Sequence, residues 1–337
     1  MKNIQSTLKW AFFACIFVLF HVSCNDELNL IESGKEVSIV YGFLSLNDTA
    51  TYIRVEHAFV DAQKPADVLA KIADSLYYSN VNVTLVRVSN NEKFVLTRVN
   101  GNTEGYVRNT GTFATAPNYL YKIKTSTLSM RADEQWRIEL RHTGDTKVFA
   151  QATTKVIGDY NIFAPQAGAF LFLTYDNTFN VSIETTELTA KFYDVKVIVN
   201  YDEVIGSVRT AQKAEWLLAS GLPRRVGDVQ ISFKRSAKDF YTFLGNNIPV
   251  NANTTRFFKD FDIEVTAGGQ ELVDFTTVGI ANIGITGSQA IPTYTNVENG
   301  LGIFTSRYKA ILKGVKLNDQ SLDLLKTGEL TKNLNFR

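Results

Sequence analysis

Period-two alternation of apolar and polar residues runs through most of this chain, and it restricts those stretches to half-buried β-strands. In Gln135–Arg141, Trp136, Ile138 and Leu140 face one way while Arg137, Glu139 and Arg141 face the other. Val81, Val83 and Leu85 alternate with Asn82 and Thr84 in the same manner. Further strands are expected at Val37–Leu44, Tyr52–Phe59, Lys93–Val99, Tyr119–Lys124 and Lys147–Val156. Turn-rich gaps such as Ser89-Asn90-Asn91 and Asn100-Gly101-Asn102 separate them. Seven short strands at this spacing predict an immunoglobulin- or fibronectin-like β-sandwich over residues 35–157. Ala66–Tyr77 interrupts the pattern. Its Val68, Leu69, Ile72 and Leu76 share one helical stripe after Pro65, which predicts a short helix inserted over an edge of the sandwich.

The segment 158–168, with Pro165 and a glycine at each end, reads as a linker to a second β-rich domain over 169–337. Strands are expected there at Phe170–Tyr175, Asn180–Thr185, Lys191–Tyr201, Asp228–Lys234, Phe257–Thr266 and Glu271–Val278. Gly268-Gly269 suits a hairpin turn between the last two. Two short helices are expected: Ser236–Leu244 with Ser236 as N-cap, and Ser321–Thr327 closed by Gly328. The fold class is mainly β.

The N-terminus has the parts of a bacterial secretory leader. Lys2 and Lys9 precede the eleven-residue apolar run Trp10–Phe20, and His21-Val22-Ser23 leads to Cys24. The run is too short to span a bilayer, which takes roughly 20 residues. Residues 1–23 therefore read as a removed lipoprotein signal peptide, with Cys24 as the lipidation site and 24–34 as an acidic tether. Several acyl chains at roughly 0.8 kcal/mol per buried methylene would make that anchor effectively permanent.

Processing leaves 314 residues with 33 basic and 34 acidic side chains, so the lysine and arginine excess of a nucleic-acid binder is missing. Of the two cysteines only Cys24 survives, which excludes an internal disulfide, a cysteine nucleophile and cysteine-ligated zinc. His57 and His142 sit far apart on separate expected strands, and no G-x-S-x-G, H-E-x-x-H, Walker or Rossmann pattern accompanies them. Asp260, Asp262 and Glu264 project from one strand face and form a weak calcium candidate without the EF-hand order. No cofactor is expected. Most aromatic residues fall at core periodicity, including Phe170 and Phe172, while Tyr77, Tyr78 and Tyr294 are expected at the surface. Glycines 279, 284, 287, 300 and 302 together with Pro292 predict a long irregular loop. Gly284, Gly287, Pro292, Tyr294, Asn296 and Asn299 are its candidate binding residues.

Three stretches carry a family resemblance. They are Val40-Tyr41-Gly42-Phe43-Leu44 followed by Tyr52-Ile53-Arg54-Val55 and Phe59; Ala73-Asp74-Ser75-Leu76-Tyr77-Tyr78; and Tyr294-Thr295-Asn296-Val297-Glu298-Asn299-Gly300-Leu301-Gly302-Ile303-Phe304. In this order they resemble a family of Bacteroidota outer-membrane lipoproteins known only as a domain of unknown function. The resemblance implies a lipid-anchored β-rich protein, often encoded near TonB-dependent receptors, and brings no catalytic residues with it. Asn25, Asp26 and Glu27 resemble the acidic signal that sends such lipoproteins to the cell surface; the alternative is an anchor facing the periplasm. The expected role is a non-catalytic accessory protein that works beside a TonB-dependent receptor in nutrient capture. A surface glycan-degrading hydrolase and an envelope assembly factor are the other readings.

Overall fold

The computed structural model describes residues 37–58, 64–158, 160–185, 189–225, 227, 229–281 and 294–337. Half of the described residues are strand and 17 % are helix, so the fold is mainly β. The first eight strands are β1 (Ser38–Leu44), β2 (Ala50–His57), β3 (Val81–Arg87), β4 (Glu92–Val95), β5 (Thr97–Asn100), β6 (Tyr119–Lys124), β7 (Gln135–His142) and β8 (Ala150–Lys155). They pair as β1-β2-β6-β5 and β4-β3-β7-β8. This is the A-B-E-D and C′-C-F-G order of an immunoglobulin-type sandwich. Alternation closes it: Val40, Leu44, Ile53, Val55 and Tyr121 from one sheet meet Val83, Leu85, Trp136, Ile138 and Leu140 from the other in a single buried core.

The rest of the chain forms β9 (Tyr160–Ala164), β10 (Phe170–Leu171), β11 (Thr178–Thr185), β12 (Phe192–Ile205), β13 (Val208–Pro223), β14 (Gln230–Ser236), β15 (Thr254–Gly268) and β16 (Gly300–Leu317). The helices are α1 (Ala66–Leu69), α2 (Thr125–Leu128), α3 (Ala237–Asn247), α4 (Gln270–Ala281) and α5 (Asp319–Thr327). A second core lies between β13-β12-β15-β16 and the small sheet β14-β11-β9. Val195, Val197, Phe261, Ile263 and Trp216 pack there against Phe179, Val181, Phe233 and the α3 residues Phe240, Tyr241 and Leu244.

Strand β16 ties the cores together by changing partners along its length. Gly300–Ser306 runs parallel to β1, Arg307–Val315 runs antiparallel to β15, and Lys316-Leu317 pairs with β10. Eighteen residues of strand extend roughly 60 Å. Residues 37–337 consequently form one compact unit. The two cores meet near Val156 and Ile157, beside the expected linker, but that segment does not part the sheets. It contains β9, whose fully buried Tyr160 donates its hydroxyl to the carbonyls of Val265 and Tyr308, both at 2.9 Å.

Five other expectations change. Ala66–Tyr77 is not one helix: α1 lasts a single turn, and a 3-10 turn follows at Ala73–Ser75. Val68 and Ile72 are exposed, whereas Leu69, Leu76, Tyr77 and Tyr78 are buried, so neither tyrosine is at the surface. Glu271–Val278 is helical within α4, because Gly268 ends β15 and the Gly269 carbonyl accepts from Leu272 and Val273 to start a turn. Gln270 reinforces it by donating to Asp274 one turn later at 2.7 Å. Both ends of the expected irregular loop are regular instead, since α4 takes residues 279–281 and β16 takes 300–302. Of the expected strand Phe170–Tyr175 only Phe170-Leu171 forms, and Phe170 and Phe172 are outside the core, at 65 % and 49 % exposure.

Candidate functional site

Two threonines and one carboxylate mark the joint where β8, β16 and α4 converge. Thr154 and Thr305 are buried, and their hydroxyls donate to Glu271 Oε1 at 3.2 Å and Oε2 at 3.0 Å. The next residue of β16, Ser306, is fully buried; its hydroxyl donates to the Lys155 carbonyl at 2.6 Å and accepts from the Ile157 N–H at 2.9 Å. These bonds satisfy backbone and hydroxyl groups that the switch of partner would otherwise leave bare. Gly269 suits the position, because a Cβ there would stand 2.8 Å from Glu271 Oε2.

An open cleft of about 450 Å³ lies against this joint, lined by Asp133, Lys155, Thr189, Lys191, Gln270 and Glu271. Thr189 donates to Asp133 on its rim. The lining mixes two ammonium groups with two carboxylates, which suits a ligand with both charge signs or many hydroxyls. Tyr294 stands near one of these acids, Glu271, and near Asp274. Burial raises its phenol above the ordinary tyrosine range, and the charges of Asp274 and Glu271 add to the effect.

Other candidate residues have local tasks. Asn296 spends its amide on the backbone of Phe304. Asn299 adopts φ +57 in the turn that leads into β16, closed by the Gly300 N–H donating to the Val297 carbonyl at 3.2 Å. Glu298 forms an isolated bridge with Gln151, which fastens the segment to the edge of β8. Gly284, Gly287 and Pro292 lie outside the described residues, as do Cys24, Asn25, Asp26 and Glu27.

Asp260, Asp262 and Glu264 do share the solvent side of β15, opposite Phe261, Ile263 and Val265. Each answers to a different neighbour: Asp260 accepts from Asn200 Nδ2 at 2.7 Å, Asp262 from the Gly314 N–H at 3.3 Å, and Glu264 pairs with Lys309 at 3.4 Å. Among the described residues no group of three or more His, Cys, Asp or Glu side chains is assembled for a metal ion.

The histidines, distant in sequence, meet around Tyr78. His57 ends β2 and His142 ends β7, and their rings lie 5.0 Å and 6.3 Å from that of Tyr78. Phe149 stacks on His142 at 4.4 Å, and the Tyr78 hydroxyl shares a hydrogen bond with Ser38 at 3.0 Å. Alternation puts each histidine at a strand end, but only the pairing of the strands brings them to the same end of the sandwich.

No family model matches this chain, and no curated protein does. Solved structures give distant likenesses. The FN1-FN3 domains of chicken CNTN1 match at 10 % identity and TM-score 0.23, over 68 % of this chain and 60 % of that one. The chain thus spans less than two thirds of that structure. The chicken interferon gamma receptor alpha chain matches at 7 % identity and TM-score 0.18, over 70 % and 89 %. CBD12 from CALX1.2 matches at 10 % identity and TM-score 0.20, over 83 % and 99 %.

Proposed function

We propose that this chain is a lipid-anchored outer-membrane binding protein, displayed at the cell surface through Cys24 and working beside a TonB-dependent receptor in nutrient capture. The observation that carries the reading is the order Lys2, Lys9, Trp10–Phe20, Ser23, Cys24, since a thiol directly after a short leader is the acceptor for lipoprotein acylation. The resemblance across Val40–Phe59, Ala73–Tyr78 and Tyr294–Phe304 points the same way. A frame of two cores joined by one strand supports a binding role, because it holds Tyr294–Asn299 and the cleft at Glu271 on fixed elements. The role is non-catalytic.

The test is made in the native envelope. The wild-type chain should fractionate with the outer membrane, incorporate radiolabelled palmitate and be shaved from intact cells by protease. Cys24→Ala should lose the label and the membrane association together. Affinity purification with mass spectrometry should recover a TonB-dependent receptor. An unacylated wild-type chain in the soluble fraction would remove the anchor, and a purification without any such receptor would remove the partner.

A further inference from the structure

Strand β13 ends the nine-stranded sheet, and over residues 208–217 its outer edge has no strand partner among the described residues. Its pairing with β12 is regular there, from Ile205↔Val208 to Lys196↔Leu217. The connection is the two-residue turn Gly206-Ser207, with Gly206 at φ +59 as the first central position of a hairpin turn requires. This closing pair sets the phase of the ladder. The N–H and C=O groups of Val208, Thr210, Gln212 and Ala214 point at β12; those of Arg209, Ala211, Lys213, Glu215 and Leu217 point away. An edge of that length, free of proline and glycine, is a template for another strand.

We propose that the occupant of this edge is the β13 strand of a second copy of the chain, antiparallel and centred on Gln212. The charges select both the partner and the register. A two-fold centred on Gln212 places Arg209 opposite Glu215 twice, and it faces the outward backbone groups of Arg209, Ala211, Lys213 and Glu215 with their counterparts. Centring on Lys213 sets that lysine against itself, and centring on Ala211 sets Arg209 against Lys213. Centring on Ala214 gives a Lys213–Glu215 pair but uses only residues 211–217 of the free run. Charged residues on an edge normally repel foreign strands; here their signs are arranged to admit this one.

The monomer offers no strong competition. Glu215 pairs with Lys196 at 2.8 Å with both side chains exposed; Arg209 pairs with the half-buried Asp202 at 2.9 Å and lies over the Phe257 ring at 4.9 Å, but its own side chain is 58 % exposed. On the core side, Val208, 62 % exposed in the single chain, would lie against the partner's Trp216 position and lose its solvent. The result is one sheet continuous through two molecules.

Sedimentation equilibrium of the purified full chain should show a monomer–dimer equilibrium. Glu215→Arg sets like charges opposite each other twice and should weaken association about tenfold. The double variant Arg209→Glu with Glu215→Arg should restore it, which general destabilisation would not. Gln212→Cys tests the register directly. Residue 212 opposes its own copy at about 5 Å, within disulfide reach, whereas the copies of residue 210 would stand roughly 14 Å apart. Gln212→Cys should therefore form covalent dimers on mild oxidation far faster than Thr210→Cys, with the wild-type chain as control for its native cysteines. A wild-type chain monomeric at all concentrations, an unaffected Glu215→Arg dimer, or equal cross-linking at 210 and 212 would each overturn the proposal.

Discussion

Asn296 closes its side-chain amide on both backbone groups of Phe304, donating from Nδ2 to the carbonyl at 2.7 Å and accepting the N–H on Oδ1 at 2.9 Å. Phe304 belongs to the part of β16 that pairs with β1, before β15 has come alongside. Among the described residues the other edge of β16 there has no strand neighbour, and one amide imitates it. Asn296→Ala would leave a donor and an acceptor unpaired beside a fully buried phenylalanine. The expected cost is about 2 kcal/mol. Asn296→Asp should cost at least as much, since it sets a carboxylate oxygen against the carbonyl. Urea unfolding of both variants checks this; midpoints equal to wild type would show that the clamp carries no stability.

Gly302 is constrained by backbone alone. Its φ is +106, and a Cβ would stand 2.0 Å from the Val40 carbonyl oxygen. No flexible side chain can yield, because the obstacle is the neighbouring strand itself. Gly302→Ala should cost roughly 4 kcal/mol or prevent folding. Gly105→Ala provides the contrast: its φ is +89 but open space surrounds it, so only conformational strain remains, about 1–2 kcal/mol. Thermal melts of the two variants should rank in that order.

These residues show what the sequence could and could not disclose. Alternation exposes β7 because Trp136, Ile138 and Leu140 are buried on one face by the same core that takes Val83 and Leu85. It fails at β13, where Ala211, Gln212, Lys213, Ala214, Glu215 and Leu217 are good helix formers, and pairing with β12 overrides their preference. It fails at α4 in the opposite sense, since Val273, Phe275 and Val278 are strand-like residues that a glycine start and a first-turn acid turn into a helix. The Tyr294–Phe304 stretch was legible as a special segment, yet Asn296, Asn299 and Gly302 shape the entry to β16. Glu271, which pins the joint, carries no motif. Its importance comes from Thr154 and Thr305, 117 and 34 residues away.

The outer face of β7 is less solvated than alternation implies. Glu139 is only 3 % exposed, beneath Arg137 at 2.6 Å and Arg141 at 2.5 Å. Burial pushes its carboxyl up, but the hydrogen bonds and charges of the two guanidinium groups outweigh this and hold it below the usual glutamate range. A carboxyl lowered in the folded state gives stability that is fully present above its unfolded value of about 4.3 and is lost as pH falls through the folded value. Melting temperature measured from pH 7 downward should fall in the acid range for wild type. Glu139→Gln should start lower and lose part of that slope. Parallel curves for the two proteins would show that Glu139 titrates alike in both states.

Arg256 anchors the end of the described chain. It is 2 % exposed; Nε donates to Glu203 at 2.8 Å, Nη1 to the Leu334 carbonyl at 2.6 Å, and Nη2 to the Pro249 carbonyl at 2.8 Å. Its backbone pairs with the same segment, accepting from the Arg337 N–H and donating to the Asn335 carbonyl, both at 2.9 Å, while Phe336 packs on Tyr201. A guanidinium is the one side chain whose planar fork reaches three acceptors at once. Arg256→Met keeps the bulk but strips two carbonyls and one carboxylate of their donor, at an expected cost of about 3 kcal/mol. Arg256→Lys can serve one or two acceptors and should fall between. Hydrogen exchange locates the damage. The Arg337 amide should lose protection in Arg256→Met well before the β7 amides of the other core. Equal protection of Arg337 in variant and wild type would mean that Phe336 alone holds the segment in place.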